Sequence, residues 1–346
     1  MRAGFSAAAV LLVLAACAHR VPQGGAEFRR PAWPPPPASP RVEWVGSVRL
    51  PSDLGIKKSP LVRFFSYLAG TRKATALLRP YGVAETPEGD VVVADPDARC
   101  VHVYRQRRSR YVRLTQAGRE PLVSPVGVAV DPQGRIYVAD SYRRTIERYG
   151  REGDWLDTLA KEGDLARPTG LAFDPRRDRL YVVDTGRHRI VAYDASGGRV
   201  LEIGRRGKGD GEFNFPVAVA VGPSGNLYVT DSMNFRVQIL DGEGRFLGSF
   251  GKEGRTPGDF DKAKGIALDP DGHIYVVEGL HDVIHVYDER GRLLAVLGGT
   301  GTDPGQFWLP TAISISGSGR ILISDSANHR VQILQYLGNP EKGAGG

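Results

Sequence analysis

The sequence predicts an all-β fold in which one four-stranded unit is repeated six times. The first observation is a short apolar strand that ends in an acid and recurs every 44 to 47 residues. The acids that end these strands are Asp95, Asp140, Asp184, Asp231, Glu278 and Asp325. Two further observations support the prediction: each copy contains four β-type runs, and a matching strand lies near the N-terminus.

The fourth copy illustrates the unit. Its β-type runs are Val217–Val221, Leu227–Thr230, Val237–Leu240 and Phe246–Phe250, and Gly-containing turns separate them. Four short strands per copy at a period of roughly 40–50 residues are typical of a β-propeller blade. A parallel β-solenoid has shorter repeats, and a TIM barrel needs helical runs that the repeats do not contain. We predict a six-bladed β-propeller of four-stranded antiparallel blades over residues 41–338, followed by a flexible tail at 339–346.

The two ends of the repeat region complement each other. The sixth copy ends near Tyr336 without a clear fourth strand. Trp44–Val48 has the sequence Trp-Val-Gly-Ser-Val, which matches the Phe-Leu-Gly-Ser-Phe of Phe246–Phe250 in the fourth copy. We expect this N-terminal strand to complete the last blade, because pairing the ends of the domain removes an open sheet edge.

The first residues have the features of an export signal. A positively charged start is followed by the apolar run Ala7–Leu14, which is too short to span a bilayer. The Leu-Ala-Ala-Cys sequence that ends at Cys17 resembles the lipobox of bacterial lipoproteins. This resemblance implies a signal peptide over residues 1–16 and a lipid on Cys17. Because Ala18 follows the cysteine, it also implies an anchor in the outer membrane, facing the periplasm or the cell surface.

Two further segments lie outside the repeat. Residues 17–40 are predicted to be a lipidated, Pro-rich linker, because Pro lacks the N–H that helices and sheets need. Residues 57–79 interrupt the pattern, and the apolar stretch Pro60–Ala69 within them predicts a short helix. This helix is either a plug over one end of the propeller or a docking segment that uses Phe64 and Phe65.

Two copies resemble the NHL repeat closely. Asp231–Gln238 and Asp325–Gln332 both follow Asp-Ser-x-Asn-x-Arg-Val-Gln, and Asp184–Ile190 is a near match. The other copies carry Cys100, Thr145 and Val283 at the position of the arginine. The chain is similar to NHL-repeat propellers over residues 80–337, which implies the fold and says little about function.

Several polar residues within the strands are expected to be structural. The acid that ends each second strand can accept backbone N–H bonds from a neighbouring loop. Arg189, Arg236 and Arg330 are expected to pair with such acids. Cys100 lies in an apolar strand pattern, and we expect it to be a buried structural thiol.

Known propeller enzymes need ligands that the predicted channel does not offer. A peptide-amidating lyase with a similar propeller binds zinc through a His that follows the Pro opening an inner strand. The equivalent residues here are Tyr81, Val126, Thr169, Val217, Lys264 and Thr311. None is a His for zinc or a carboxylate for the calcium of lactonase propellers. His281 and His285 do not form a preset metal site in a strand or loop, so we predict no metal and no cofactor.

A basic face favours binding over catalysis. The formal net charge is +7, and loops after the second strands share a face with the connections between blades. This face should be basic, with few aromatic residues. Its candidate partner-binding residues are Arg143, Arg144, Arg187, His188, Lys264 and His329. We expect an acidic partner, which is an envelope protein, an anionic glycan or a lipid headgroup, and no nucleic acid.

Three hypotheses for the function remain open from the sequence. The first is a membrane-anchored, extracytoplasmic binding or scaffold propeller. The second is a propeller lyase or hydrolase with an unrecognised site in the central channel. The third is a structural subunit of an envelope complex.

Overall fold

The computed structural model describes residues 30–35, 38–56 and 75–338, which form six main β-sheets around a central channel. The inner strand of each sheet contacts the inner strands of its two neighbours. The inner strands of the first and last sheets also meet, so the ring is closed. The predicted six-bladed β-propeller with antiparallel blades is therefore confirmed.

Some predicted features lie outside the described residues. These are the signal peptide with Cys17, the stretch Pro60–Ala69 with Phe64 and Phe65, and residues 339–346. Within the described ranges, no helix has the length and apolar character that crossing a membrane requires.

Each blade runs from an inner strand beside the channel to an outer strand at the rim. In chain order the strands are β1 (Ala32–Trp33) and β2 (Val42–Val48); β3 (Val83–Glu85), β4 (Val91–Asp95), β5 (Cys100–Arg105) and β6 (Arg110–Leu114) of blade 1; β7 (Gln116–Ala117) and β8 (Glu120–Pro121), a small hairpin; β9 (Pro125–Val130), β10 (Ile136–Asp140), β11 (Thr145–Tyr149) and β12 (Trp155–Ala160) of blade 2; β13 (Pro168–Asp174), β14 (Arg179–Asp184), β15 (Arg189–Asp194) and β16 (Arg199–Ile203) of blade 3; β17 (Pro216–Val221), β18 (Leu227–Asp231), β19 (Arg236–Leu240) and β20 (Phe246–Phe250) of blade 4; β21 (Ala263–Leu268), β22 (Ile274–Glu278), β23 (Val283–Tyr287) and β24 (Leu293–Gly298) of blade 5; and β25 (Pro310–Ile315), β26 (Arg320–Asp325) and β27 (Arg330–Tyr336) of blade 6. Short 3-10 helices lie at Pro51–Leu54, Thr185–Arg187 and Ser232–Asn234.

The N-terminal strand β2 closes the last blade, as the sequence match predicted. It pairs antiparallel with β27, with Val42 opposite Tyr336 and Val48 opposite Val331. Blade 6 thereby gains its fourth strand from the other end of the domain, and β27 is not left as an open edge.

The match between β2 and β20 extends to the backbone. Each strand carries a bulge in its pairing with the third strand, and the unpaired residues are Val45 in β2 and Leu247 in β20. A bulge changes the local twist and redirects the following side chains. Equivalent bulges occur at Leu156, Val200 and Leu294 in blades 2, 3 and 5, so β2 has the backbone of an ordinary fourth strand.

The sheet begins earlier than the predicted linker boundary at residue 40. β1 pairs with β2, with Ala32 opposite Glu43 and Trp33 opposite Val42, so blade 6 has five strands. The Pro run begins at Pro34, and the residue before a proline favours the extended conformation that Trp33 has in β1. Trp33 itself packs against the apolar core between blades 5 and 6, and burial of a large aromatic surface favours this placement.

The hydrophobic core consists of six apolar layers, each between two neighbouring blades. The second strands, such as β4 and β22, are buried on both faces, which explains their continuous apolar sequences. Near the channel the blades approach closely. A Cβ on Gly127 would lie 1.9 Å from the carbonyl oxygen of Thr169 in the next blade, so only glycine fits there without a backbone shift.

The six acids at the ends of the second strands are structural. All are fully buried, and each accepts backbone N–H groups from the loop that leads into its own blade, over 2.6 to 3.1 Å. The expected ion pairs of Arg189, Arg236 and Arg330 with these acids are confirmed. Each acid therefore fixes the loop that positions its inner strand.

Blade 1 replaces the arginine with a different buried network. Nε2 of His102 lies 3.6 Å from Oδ2 of Asp95 and 3.3 Å from Sγ of Cys100, and Nδ1 of His102 contacts the hydroxyl of Tyr111 over 2.7 Å. Cys100 is a fully buried free thiol, as predicted. The histidine supplies the polar contact that arginine supplies elsewhere.

Candidate functional site

The buried acids hold two sets of loops on one face of the ring. Asp140 binds the N–H groups of Val123 and Ser124 in the connection before blade 2, and those of Tyr142 and Arg143 after its second strand. We call this side the loop face; it consists of the blade connections and the loops that follow the second strands. The prediction that these loops share a face is confirmed.

The central channel opens on the loop face as a cavity of about 250 Å³, and the inner strands of all six blades line it. One side chain from each blade lines it at the same position, namely Tyr81, Val126, Thr169, Val217, Lys264 and Thr311. Among the described residues around this cavity none is Asp, Glu or His, whereas Arg167, Lys262 and Lys264 carry positive charge. The lining of this cavity is therefore rich in cations and has no carboxylate, whereas Asp97 and Glu162 line the depression beside it.

Lys264 lies within this mouth. It belongs to β21, is partly buried, and has no hydrogen-bond or ion-pair partner within the described ranges. Burial lowers the pKa of its ammonium group, and the charges of Lys262 and Arg79 lower it further, whereas the more weakly acting carboxylates of Glu278 and Asp282 raise it. An ammonium group without a direct ion-pair partner in such surroundings would gain from a bound anion.

Gly279 provides the space that the Lys264 side chain occupies. A Cβ at this glycine would lie 2.6 Å from Cε and 2.9 Å from Nζ of Lys264. The equivalent residues of four other blades have a Ser or Thr side chain, and these are Ser141, Thr185, Ser232 and Ser326. The absence of a side chain in blade 5 therefore allows the lysine to take its position.

Three further cations stand at equivalent positions of alternate blades. Arg79, Arg167 and Lys262 occupy the same repeat position in blades 1, 3 and 5, one residue before Pro80, Pro168 and Ala263. Arg167 and Lys262 line the channel cavity, and Arg79 and Arg167 line an adjoining depression together with Arg144. In a closed six-bladed ring, alternate blades are one third of a turn apart. The cations therefore surround the mouth instead of forming a patch on one side.

Two hydroxyl groups at the mouth also lack partners. Thr185 and Ser326 donate to the carbonyl oxygens of the prolines that open the next blades. The equivalent Ser232 makes no side-chain hydrogen bond in the described structure, and neither does the hydroxyl of Tyr81, whose pKa is raised by burial. Both residues line the cavity, so their hydroxyls can donate to a ligand.

The residues predicted to bind a partner divide into two groups. Lys264 and Arg144 have side chains without a protein partner in the described ranges, and Arg144 is exposed. The other four already make contacts that hold loops: Arg143 donates to the carbonyl of Pro121, Arg187 to Asp164, His329 to Leu78, and His188 accepts the N–H of Phe215. Burial and the charge of Arg206 lower the pKa of His188.

The sequence analysis did not identify the other cations of the site. Arg79, Arg167 and Lys262 could have been found by aligning the six copies at the residue before the inner strand, because the positive charges then alternate. The open position at Gly279 was also missed. No pattern in the sequence indicates that a lysine in one strand needs the space above a glycine in the next.

Some aromatic side chains are exposed on the loop face. Tyr142, Phe215 and Trp308 are exposed on it, with 74%, 40% and 50% of their surface accessible. Met233 and Leu280 are also exposed there. Phe215, Met233, Leu280 and Trp308 belong to blades 4 to 6, so exposed apolar side chains lie beside the basic mouth in that sector.

The described residues do not fit a catalytic metal. They contain no group of three or more His, Cys, Asp or Glu side chains that could hold an ion. His285 is buried in β23, where Nδ1 lies 3.2 Å from the hydroxyl of Tyr287, and burial lowers its pKa to about 4. Calcium requires several oxygen ligands, and at the channel mouth it would meet Lys264 and Arg167 instead.

Comparison with known proteins agrees with this fold. The chain matches the family described as SMP-30/Gluconolactonase/LRE-like region over residues 69–250, and the NHL repeat over residues 307–334. The E3 ubiquitin-protein ligase NHLRC1 of Homo sapiens is 36% identical over 64 residues, which are 18% of this chain and 16% of that protein. The Mus musculus ligase is 34% identical over 77 residues, 22% of this chain and 18% of that protein. The match therefore spans less than a fifth of these ligases.

Solved structures show the same architecture. Streptogramin B lyase has a TM-score of 0.56 and 15% identity, covering 75% of this chain and 94% of that chain. Virginiamycin B lyase from Staphylococcus aureus also has a TM-score of 0.56 and 15% identity, covering 77% and 96%. Hydrazine synthase from Kuenenia stuttgartiensis has a TM-score of 0.55 and 14% identity, covering 77% and 97%. At these identities the likeness concerns the fold alone.

The two family matches account for different parts of the ring. Residues 307–334 correspond to most of blade 6, where the NHL-like sequence is clearest. Residues 69–250 include blades 1 to 4 and make up more than half of the chain. The chain therefore belongs to the SMP-30/Gluconolactonase/LRE-like family, and its last blade is an NHL repeat.

Proposed function

We propose that this protein is an extracytoplasmic binding propeller that recognises an anionic ligand at the channel mouth on its loop face. The observation that supports it is the convergence of Arg167, Lys262 and Lys264 on a cavity whose lining has no carboxylate, with Arg79 in the depression beside it. Like charges gathered at a concave, partly desolvated surface raise the local concentration of opposite charge and speed association.

The environment of these cations makes the proposal specific to this surface. Basic residues elsewhere are commonly neutralised: Arg105 and Arg108 pair with Glu152, and Arg177 and Arg179 with Glu243. Arg167, Lys262 and Lys264 have no such partner in the described ranges, and Arg79 has only a long, exposed contact of 3.9 Å with Asp97. These four basic residues without a close counter-ion therefore lie where the channel opens.

Charge reversal at the mouth tests this function. The double variant Arg167→Glu/Lys262→Glu should bind anionic probes at least ~10-fold more weakly than the wild type, since each probe loses two attractions and meets two repulsions. Binding of heparin, of citrate and of a poly-glutamate peptide would be measured by titration calorimetry at low and high salt, because screening should weaken the wild-type interaction.

The matched control places the same charge change elsewhere. Arg107 and Arg290 are exposed, lie in turns between third and fourth strands, and make no ion pair in the described structure. The variant Arg107→Glu/Arg290→Glu should retain wild-type affinity. If both double variants lost the same affinity for the probes, the change in net charge alone would account for the loss. If no probe bound the wild type, the proposal would be wrong.

The membrane anchor is a separate part of the proposal. It rests on the lipobox-like sequence that ends at Cys17. Replacing Cys17→Ser should release the protein from the membrane fraction of fractionated cells. Retention of this variant in the membranes would mean that another element tethers the protein.

An enzyme is a second candidate, which membership in the SMP-30/Gluconolactonase/LRE-like family favours. The groups available for proton transfer at the mouth are the hydroxyl of Tyr81 and the amine of Lys264. Turnover of a small sugar lactone by the purified protein, abolished in Lys264→Met, would replace the binding proposal with a catalytic one.

A further inference from the structure

The polar groups without partners at the channel mouth all lie around one small volume. Tyr81, Ser232 and Lys264 come from blades 1, 4 and 5 and line the same cavity of about 250 Å³. Each can donate a hydrogen bond, and no carboxylate lines the cavity to accept one. A ligand that satisfies this arrangement must itself bring several acceptors.

The size of the cavity limits the ligand. The inner cavity of about 250 Å³ is at the lower end of small-molecule sites, and it adjoins a wider depression of about 770 Å³ that Arg79 and Arg167 line. The outer cations Arg79, Arg167 and Lys262 belong to alternate blades, so they approach the channel axis from three directions. A compact molecule on this axis meets positive charge on all sides, whereas a flat or elongated polyanion would contact only part of the set.

We propose that the channel mouth is a binding site for a compact small molecule with two or three oxyanion groups, carboxylates or phosphates. Lys264 holds the innermost group, with the hydroxyls of Tyr81 and Ser232 as further donors. Arg79, Arg167 and Lys262 hold the outer groups. This inference rests on the proposed function and adds to it the ligand class and the role of Lys264.

Gly279 permits a test that leaves the charges unchanged. Ser occupies the equivalent position in three other blades, and the glycine does not have a positive φ, so Gly279→Ser is compatible with the backbone. The new side chain would meet only the flexible end of Lys264, because the nearest atoms are Cε, Cδ and Nζ. The substitution should therefore displace the amine and preserve the blade.

The experiment measures binding of citrate, pyrophosphate, acetate and heparin by titration calorimetry. Citrate or pyrophosphate should bind one-to-one and at least ~10-fold more tightly than acetate, and the tighter of the two identifies the oxyanion. Both Lys264→Met and Gly279→Ser should weaken that binding at least ~10-fold, while heparin binding changes less than ~3-fold. The control Lys208→Met, an exposed residue of a blade connection that does not line the cavity, should behave as wild type.

Thermal unfolding separates loss of the site from loss of the fold. Each variant should keep its transition within about 2–3 °C of the wild type. If citrate and pyrophosphate bind no better than acetate, or bind Lys264→Met and Gly279→Ser normally, the small-molecule site is wrong. If heparin binding still depends on Arg167 and Lys262, the proposed function stands without the small-molecule site. If neither heparin nor the small anions bind in this way, both the proposed function and the small-molecule site are wrong.

Discussion

A chain that begins at Pro51, and so lacks β1 and β2, is expected to show no cooperative thermal transition. Without β2, the backbone groups of β27 form an open edge and the apolar layers beside blade 6 lose one wall. Val42 and Val48 are 4% and 0% exposed, and Nε1 of Trp44 donates to Gln332 over 2.9 Å. Circular dichroism and calorimetry would show a broad transition or none.

Two point variants in β2 test whether the buried side of this strand stabilises the ring. Val48→Asp buries a carboxylate without a partner and should destabilise the protein by more than about 3 kcal/mol. Val45, the bulge residue, is 42% exposed, and Val45→Asp should change stability by less than about 1 kcal/mol. Similar effects of the two variants would mean that β2 does not seal the ring.

A rescue variant tests closure directly. In blade 4, Asp241–Arg245 joins β19 to β20. Joining Trp44–Val48 to the end of β27 through these five residues, in the chain that begins at Pro51, should restore a cooperative transition. Failure of the rescue, despite an intact secondary-structure signal, would indicate that residues 30–50 act through something other than the fourth strand of blade 6.

The closure of the ring could be predicted because the repeated copies within one sequence can be aligned with each other. The Gly-Ser pair of β2 matched that of β20, and the structure places the two strands in the same register, with bulges at Val45 and Leu247. β1 had no counterpart in other copies, so its pairing through Trp33 could not be found in this way. Features that all copies share can be predicted by comparing the copies, whereas an element that occurs in one blade alone cannot.

The site was predicted less completely, for a related reason. Lys264 was identified because it occupies a position that repeats in every blade. Arg187 and His188 were chosen because they lie in exposed loops, yet they bind Asp164 and the N–H of Phe215. Whether a polar side chain is free depends on the conformation of the neighbouring connection, which a single sequence does not specify.

The acids at the ends of the second strands provide the second large effect. Asp325 is 0% exposed and accepts bonds from the N–H of Trp308, from Asn328, from Arg330 and from Gln332. Removing one carboxylate therefore leaves a loop without its anchor and a buried guanidinium, only 4% exposed, without its counter-ion. Every blade has the acid, but blades 1, 2 and 5 have no arginine partner for it. This difference indicates that the acid contributes more to the stability of the blade than the arginine does.

We expect Asp325→Ala to destabilise the protein by about 3–5 kcal/mol, because it strands a buried positive charge and several donors at once. Arg330→Met should destabilise the protein less, since Asp325 would keep its bonds to the backbone, Asn328 and Gln332. The acids of blades 1, 2 and 5 likewise hold their loops through backbone N–H groups without an arginine. Asp97→Ala, which removes an exposed acid, should stay within about 0.5 kcal/mol of the wild type. Urea unfolding at constant m-value would rank the three variants. If Arg330→Met lowered the free energy of unfolding as much as Asp325→Ala, the ion pair, and not the anchoring of the loop, would be what stabilises the blade.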